Sequence, residues 1–339
     1  MITISTCMIV KNEERVLARC LDCVKEFSDE IIIVDTGSTD RTKEIASTYT
    51  NKIYDFPWIN DFSAARNFSF SKATMEYIYI ADADEIIDTE NIEQIKQLKS
   101  VLLPEIDIVQ MYYTNQLEYG TTYNYDKEYR PKLIKRLREF YWQDPLHETL
   151  RLEPVIYDSD IAIIHKPHEN HSSRDFANLQ KLIKNGTTLS SKLNIMYAKE
   201  LFIAGTDDDF ITAKDYFQTL SANVLNEDLK AVQCVLVKCG VIESNPHLIL
   251  GAALKNIADG NGSAEVCTCL GLYYEACGEY SEAALWYYNA VHETQCELCL
   301  QYSQELPLNG LIRCYNILGD SDQAEYYREQ LQTILDTEK

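Results

Sequence analysis

Short apolar runs alternate with helically spaced apolar positions over the first hundred residues. Residues 2–10 read as a buried strand, after which Val16, Leu17, Cys20, Val24 and Phe27 recur at helical spacing. Glu30–Asp35 is a second strand, of the continuous apolar kind found in parallel sheets. Thr36-Gly37-Ser38 supplies a turn, and Ser38, Thr39 or Asp40 is placed to cap a helix running through Tyr49. Residues 52–58 form a third strand, residues 61–67 open another helix, and Tyr77–Ala81 is a fourth strand. This order predicts a parallel, helix-covered sheet with right-handed crossovers.

From about residue 105 to 165 the pattern changes. Short β-like runs (108–114, 133–137, 155–164) alternate with a stretch holding Tyr112, Tyr113, Tyr119, Tyr123, Tyr125 and Tyr129. Tyrosines there suit either sugar stacking or a half-buried strand pair. Beyond His171 the chain reads as helical, with turn glycines at Gly205, Gly278 and Gly319, each followed by a helix opening near alanine. Their spacings, 73 and 41 residues, approximate two units and one extended unit of the ~34-residue tetratricopeptide period. Residues 225–240 supply the missing repeat. Two domains are expected, at 1–175 and 176–339.

Composition narrows the partners. The net charge is −22 and 46% of the 339 residues are hydrophobic, giving a large core and a surface that repels phosphate backbones and anionic lipid. Nucleic acid is therefore excluded as the principal partner. No apolar run approaches the ~20 residues of a membrane-spanning helix, and residues 2–10 lack the basic start of a signal peptide. Eleven cysteines without a regular framework suggest reduced thiols and a cytoplasmic location. Cys20/Cys23 and Cys296/Cys299 have metal-like spacing, with His292 four residues before Cys296, yet both pairs fall in helical patterns that fit a packed face better.

The strongest chemistry is at Asp82-Ala83-Asp84-Glu85. A buried strand ending in Asp-x-Asp presents carboxylates where open α/β sheets bind ligands. Two carboxylates so close call for a hard divalent cation, Mn2+ or Mg2+, completed by substrate phosphates. No Gly-x-Gly-x-x-Gly or Walker loop is present, which excludes the ordinary dinucleotide and P-loop readings.

Four blocks come in the order and spacing of family 2 glycosyltransferases. They are Cys7-Met8-Ile9-Val10-Lys11-Asn12-Glu13-Glu14, Ile33-Val34-Asp35-Thr36-Gly37-Ser38-Thr39-Asp40, Trp58-Ile59-Asn60-Asp61-Phe62-Ser63-Ala64-Ala65-Arg66-Asn67 and Ala81-Asp82-Ala83-Asp84-Glu85. With Leu146-His147-Glu148, Ile164-His165 and the C-terminal repeats, the chain resembles the bacterial branch that joins this catalytic domain to tetratricopeptide helices. That branch includes the sublancin-type peptide S-glycosyltransferases. The resemblance covers about residues 1 to 170. It implies a glycosyltransferase-A type, Rossmann-like mixed α/β sheet, followed by an all-α tetratricopeptide-like domain.

The resemblance also implies roles. Cys7, Met8, Ile9, Lys11 and Glu13 wrap the nucleotide, and Asp35 and Thr36 sit where the family binds uracil and ribose. Many members carry a second Asp where this chain has Thr36. Arg66 contacts base or phosphate, the alternative being a surface ion pair. Asp82 and its neighbour Ala83 lie against the ribose or metal, and Asp84 binds the metal, with His165 as a further ligand. Inverting transfer needs a base beside the acceptor, for which Glu148, His147 and Asp144 are the candidates; as metal ligands His168 and His171 are weaker than His165.

Three functions follow. The first is metal-dependent, inverting sugar transfer from a nucleotide-sugar donor, UDP-linked in expectation, to a peptide or protein. The second is the same chemistry on a cell-envelope glycan or lipid-linked acceptor, and the third a non-enzymatic repeat adaptor. The helical half favours the first, and a homodimer through that half is an accompanying expectation.

Overall fold

In a computed structural model of the chain, the structure describes residues 1–115, 127–138, 142–143, 149–166, 172–184, 186, 188–222, 228–258 and 260–337. They divide into two compact units, one within residues 1–166 and one within 172–337. The expected boundary at 175 falls inside a helix, α5 (Ser172–Lys184).

The first unit holds β1 (Ile4–Val10), α1 (Leu17–Val24), β2 (Glu30–Asp35), α2 (Thr42–Ser47), β3 (Ile53–Asp55), α3 (Phe62–Ser71), β4 (Tyr77–Ala81), β5 (Glu85–Ile86), α4 (Thr89–Val101), β6 (Ile108–Thr114), β7 (Glu128–Lys135), β8 (Trp142–Gln143), β9 (Thr149–Leu150) and β10 (Ile156–His165). Eight strands form one mixed sheet in the order β3-β2-β1-β4-β7-β6-β10-β5, and β8 pairs with β9 apart from it. The first four elements of that order are parallel, as the alternating pattern predicts. The sheet becomes mixed because β7 enters antiparallel between β4 and β6.

Continuous apolar runs go to the centre because both faces are covered. Met8, Ile33 and Tyr79 pack with Leu17, Leu21 and Ile95 from α1 and α4. Cys7, Ile32 and Ile78 face the other way, with Ala73 and Phe70 after and within α3. The third strand is shorter than expected, since Pro57 closely follows it and has no N–H to offer a ladder. A register shift between Val109 and Gln110 falls opposite Pro131 for the same reason. Asp40 does hold the start of α2, accepting from the Thr42 N–H at 2.9 Å, although the helix opens only at Thr42.

The second unit is helical: α5, α6 (Ser191–Ala204), α7 (Asp207–Ser221), α8 (Leu229–Ile242), α9 (Pro246–Ile257), α10 (Ala264–Ala276), α11 (Tyr280–His292), a 3-10 turn at Leu300–Tyr302, α12 (Glu305–Leu318) and α13 (Ser321–Thr337). These are tetratricopeptide-like hairpins, and α8 with α9 supplies the pair missing from the glycine pattern. Gly278 and Gly319 turn with φ of 80°, a left-handed conformation that glycine adopts freely. Gly205 does not: its φ is −72° and its role is close approach, since a Cβ there would lie 2.5 Å from the Leu201 carbonyl oxygen. Thr206 and Asp209 then close a capping box on α7. The core of α10 to α12 is built on Tyr287, whose ring lies between Gly271 and Gly310; a Cβ on either would meet ring atoms at 2.5 and 2.4 Å.

Candidate functional site

The parallel strands β1, β2 and β4 end at the same edge, and the carboxylates gather there. After Ala81 the chain turns through Asp82, Ala83 and Asp84 into β5, with the Glu85 N–H donating to the Asp82 carbonyl at 3.2 Å. β10 pairs antiparallel with β5, placing His165 opposite Glu85, and the Lys166 N–H donates to the Asp84 carbonyl at 2.9 Å. This register brings His165 Nε2 to 3.2 Å from Asp84 Oδ2. Arg66 arrives from α3, whose start is fixed by Asp61 accepting from the Ala64 N–H, and its Nη2 lies 3.4 Å from Asp82 Oδ1. The Arg66 pair thus reaches across to the Asp-x-Asp turn as a partly exposed ion pair.

The two loops at the ends of β1 and β2 brace each other. Asn12, in the left-handed region at φ 57°, donates its N–H to Ser38 Oγ and accepts from the Thr39 N–H. The Glu13 N–H donates to Thr42 Oγ1 at 2.7 Å. Asp35 is 2% exposed; its Oδ1 accepts from the N–H groups of Gly37 and Ser38, both at 2.9 Å. Its Oδ2 is buried with no hydrogen-bond partner among the described residues. Thr36 donates its hydroxyl to the Val10 carbonyl, and Lys11 lies exposed in the loop beyond.

Three of the residues expected at the nucleotide are buried. Cys7 and Met8 are buried on opposite faces of β1 and their backbones pair with both neighbouring strands. Ala83 likewise turns its methyl into the core. Ile9 is half-buried in the same strand and paired with Val34. Glu148, His147 and Asp144 lie between β8 and β9, outside the described residues, as do His168, His171, Tyr119, Tyr123 and Tyr125.

Beneath the turn lies a pair that the sequence reading missed. Lys132 Nζ donates to both Glu85 oxygens, at 2.6 and 2.8 Å, and both side chains are buried. Burial pushes the Glu85 carboxyl up to about 7 against the opposing pull of Lys132. Tyr113 was legible only as one of many tyrosines. It is buried, and its ring lies 5.1 Å from the His165 ring, with the Arg130 guanidinium 3.8 Å from its centroid. Tyr112 and Tyr129 stack on each other at 4.2 Å across β6 and β7, as a strand pair would.

Among the described residues no group of three His, Cys, Asp or Glu side chains converges to hold an ion. The Asp84 and His165 pair nevertheless fits a divalent cation that takes its remaining ligands from phosphate and water. Carboxylate oxygen with one imidazole nitrogen is a donor set suited to Mn2+ and tolerable to Mg2+. Among the described residues neither cysteine spacing belongs to a group of three His, Cys, Asp or Glu side chains that could hold an ion. Cys20 and Cys23 sit in α1, where Cys20 Sγ donates to the Asp82 carbonyl. Cys296 to Cys299 is not helical as expected but a loop folded around buried Glu265, which accepts from Cys296 Sγ and from the N–H groups of Glu297, Leu298 and Cys299. All eleven cysteines are free thiols, and among the described residues no helix is long and apolar enough to cross a membrane.

Parts of the chain are similar to known proteins. A TPR repeat-containing protein of Synechococcus elongatus is 48% identical over 85 residues, 25% of this chain and 21% of that protein. The SPbeta prophage-derived glycosyltransferase SunS of Bacillus subtilis is 40% identical over 108 residues, 30% of this chain and 24% of that protein. An uncharacterised glycosyltransferase of Rickettsia typhi is 37% identical over 95 residues, 28% of this chain and 32% of that protein. The matched stretch is thus between about a fifth and a third of these relatives' length. Glucosyl-3-phosphoglycerate synthase from Mycobacterium tuberculosis superposes with a TM-score of 0.37 at 14% identity, over 56% of this chain and 82% of that one. The family model for glycosyl transferase family 2 matches residues 5–151, the span that carries β1 to β9 and the carboxylate turn, and the N-terminal unit of this chain is a glycosyltransferase family 2 domain.

Proposed function

We propose that the chain is a metal-dependent, inverting glycosyltransferase that moves a sugar from a UDP-linked donor to a peptide or protein acceptor. The observation that carries the reading is the Asp82-Ala83-Asp84 turn gripped from two distant elements, by Arg66 at 3.4 Å and by His165 at 3.2 Å. A structural turn has no need of both a guanidinium and an imidazole. A site for a diphosphate and its counterion does.

In this reading the buried Asp35 Oδ2 accepts an N–H from the nucleobase, which would satisfy an oxygen otherwise left without a partner. Thr36 keeps its oxygen free to accept, while Lys11 and Glu13 flank the nucleotide. Arg66, a planar cation already fixed beside Asp82, receives a phosphate or base edge. Asp84 and His165, with Asp82 beside them, would hold Mn2+ or Mg2+. The metal, when bound, neutralises charge on the departing diphosphate.

Transfer then occurs in one displacement. The acceptor nucleophile forms a bond to the anomeric carbon as the bond to the diphosphate oxygen breaks, and the diphosphate leaves with the electron pair. The nucleophile's proton passes to a base. Glu148 is the first choice, with His147 and Asp144 as alternatives. The hairpins of the second unit support a polypeptide acceptor, since such repeats commonly present a groove for extended peptides.

The test is nucleoside diphosphate release by the purified chain from a panel of nucleotide sugars with Mn2+. UDP sugars should be consumed, chelator should stop the reaction, and Asp84→Asn should lower the rate about a hundredfold or more. Full activity in chelator, or in Asp84→Asn, would remove the metal reading.

A further inference from the structure

His165 has to present one particular nitrogen to Asp84, and its own strand does not determine which. Strand position sets where the imidazole begins; rotation about the last side-chain bond sets where Nε2 points. The structure supplies a restraint on that rotation. Tyr113, on the neighbouring strand β6, is 4% exposed and its ring lies 5.1 Å from the imidazole at an interplanar angle of 33°. Ile163 and Ile164 pair with Tyr113 and Thr114, so the two rings are neighbours by register.

The tyrosine ring is itself clamped. The Arg130 guanidinium sits 3.8 Å from the Tyr113 centroid, and Arg130 is held by Glu128, its Nε donating at 2.6 Å. Lys132 Nζ approaches the same ring at 6.0 Å while bound to Glu85. A cation stacked on an aromatic face is attracted to the ring's negative face, which favours one ring orientation. Burial, with Glu85, Asp84 and Asp82 nearby, pushes the phenol well above its ordinary range, so Tyr113 stays neutral and is no candidate base.

We propose that Tyr113 is a positioning residue for His165: held by Arg130, its ring orients the imidazole so that Nε2 faces Asp84 and the pair is preset to take a divalent cation. This rests on the metal reading above. Groups that orient a ligating histidine typically change metal affinity about 10–100-fold when removed.

The experiment is a Mn2+ titration of the full chain with saturating UDP, read from the electron paramagnetic resonance of free Mn2+, with thermal unfolding as the check on fold. His165→Ala should weaken Mn2+ binding. Tyr113→Leu should weaken it about tenfold, and Tyr113→Phe, which keeps the ring, should restore it to within about twofold. In the His165→Ala background Tyr113→Leu should add nothing. Should Tyr113→Leu not fold, Arg130→Met loosens the clamp from a partly exposed side chain and should weaken Mn2+ binding about threefold. Unchanged affinity in Tyr113→Leu or in Arg130→Met, or losses that add in the double variant, would overturn the positioning role while leaving the metal reading intact. Wild-type affinity in His165→Ala would remove both.

Discussion

Lys132 spans 2.6 and 2.8 Å to the two oxygens of Glu85, and neither side chain sees solvent: their exposures are 4% and 2%. The pair lies directly behind the carboxylate turn, because Glu85 opens β5 and Lys132 comes from β7, adjacent to β4. A buried ion pair contributes little net stability over apolar residues, but breaking it leaves one charge uncompensated.

Lys132→Met should therefore cost about 1–3 kcal/mol, since Glu85, already raised to about 7, takes up a proton and is left as an unsatisfied polar group, while Glu85→Leu combined with Lys132→Met should cost clearly less than the single change. Urea unfolding of the three chains decides this. A double variant as unstable as the single one would mean that the pair's volume, not its charge, holds the turn.

That pair also marks where sequence reading stops. The four parallel strands were legible because burial on both faces demands uninterrupted apolar runs, as in Glu30–Asp35 and Tyr77–Ala81. Asp82 and Asp84 were legible because a strand end followed by paired carboxylates is a local pattern. Lys132 meets Glu85 across 47 residues, and only the antiparallel insertion of β7 brings them together. Nothing local announces that insertion. Cys296 and Cys299 show the opposite error: a spacing that suits a helix face was imposed by a loop wrapping the Glu265 carboxylate.

Gly310→Ala should destabilise the second unit. Its new methyl would sit 2.4 Å from Tyr287 Cε2, and Gly271 lies against the other edge of the same ring. Alanine gains about 1 kcal/mol of helix propensity over glycine, but overpacking a fixed ring costs about 1–3 kcal/mol. A net loss is expected by thermal unfolding. Gly310→Ala with Tyr287→Leu, which vacates the slot, should recover part of it; a stabilised Gly310→Ala would show that the slot is loose.

Acid should weaken the same unit through Glu275. Partial burial pushes its carboxyl up, but Arg313, donating from Nε and Nη2 at 2.7 and 2.9 Å, and the Tyr287 hydroxyl at 2.6 Å outweigh that and hold it below its ordinary value of 4.5. A carboxyl depressed in the folded state stabilises fully above its unfolded pKa and loses that contribution as pH falls through the folded one. The melting temperature should thus decline below about pH 4.5. Glu275→Gln should be less stable near neutrality and show a flatter acid limb. Parallel curves for the two chains would assign the acid sensitivity elsewhere.

The division into two units yields the last expectation. Residues 1–166 contain Asp35, Arg66, Asp82, Asp84 and His165, and the separate helical unit contributes none of them. A chain ending near Asn170 should then bind UDP, measured by calorimetry, and still transfer the sugar slowly to water with release of UDP. If the hairpins recruit a polypeptide, the same chain should lose transfer to that acceptor. UDP binding that requires the helices would place donor contacts outside the first unit. Full transfer by the shortened chain would instead make the hairpins scaffolding and favour a small or glycan acceptor.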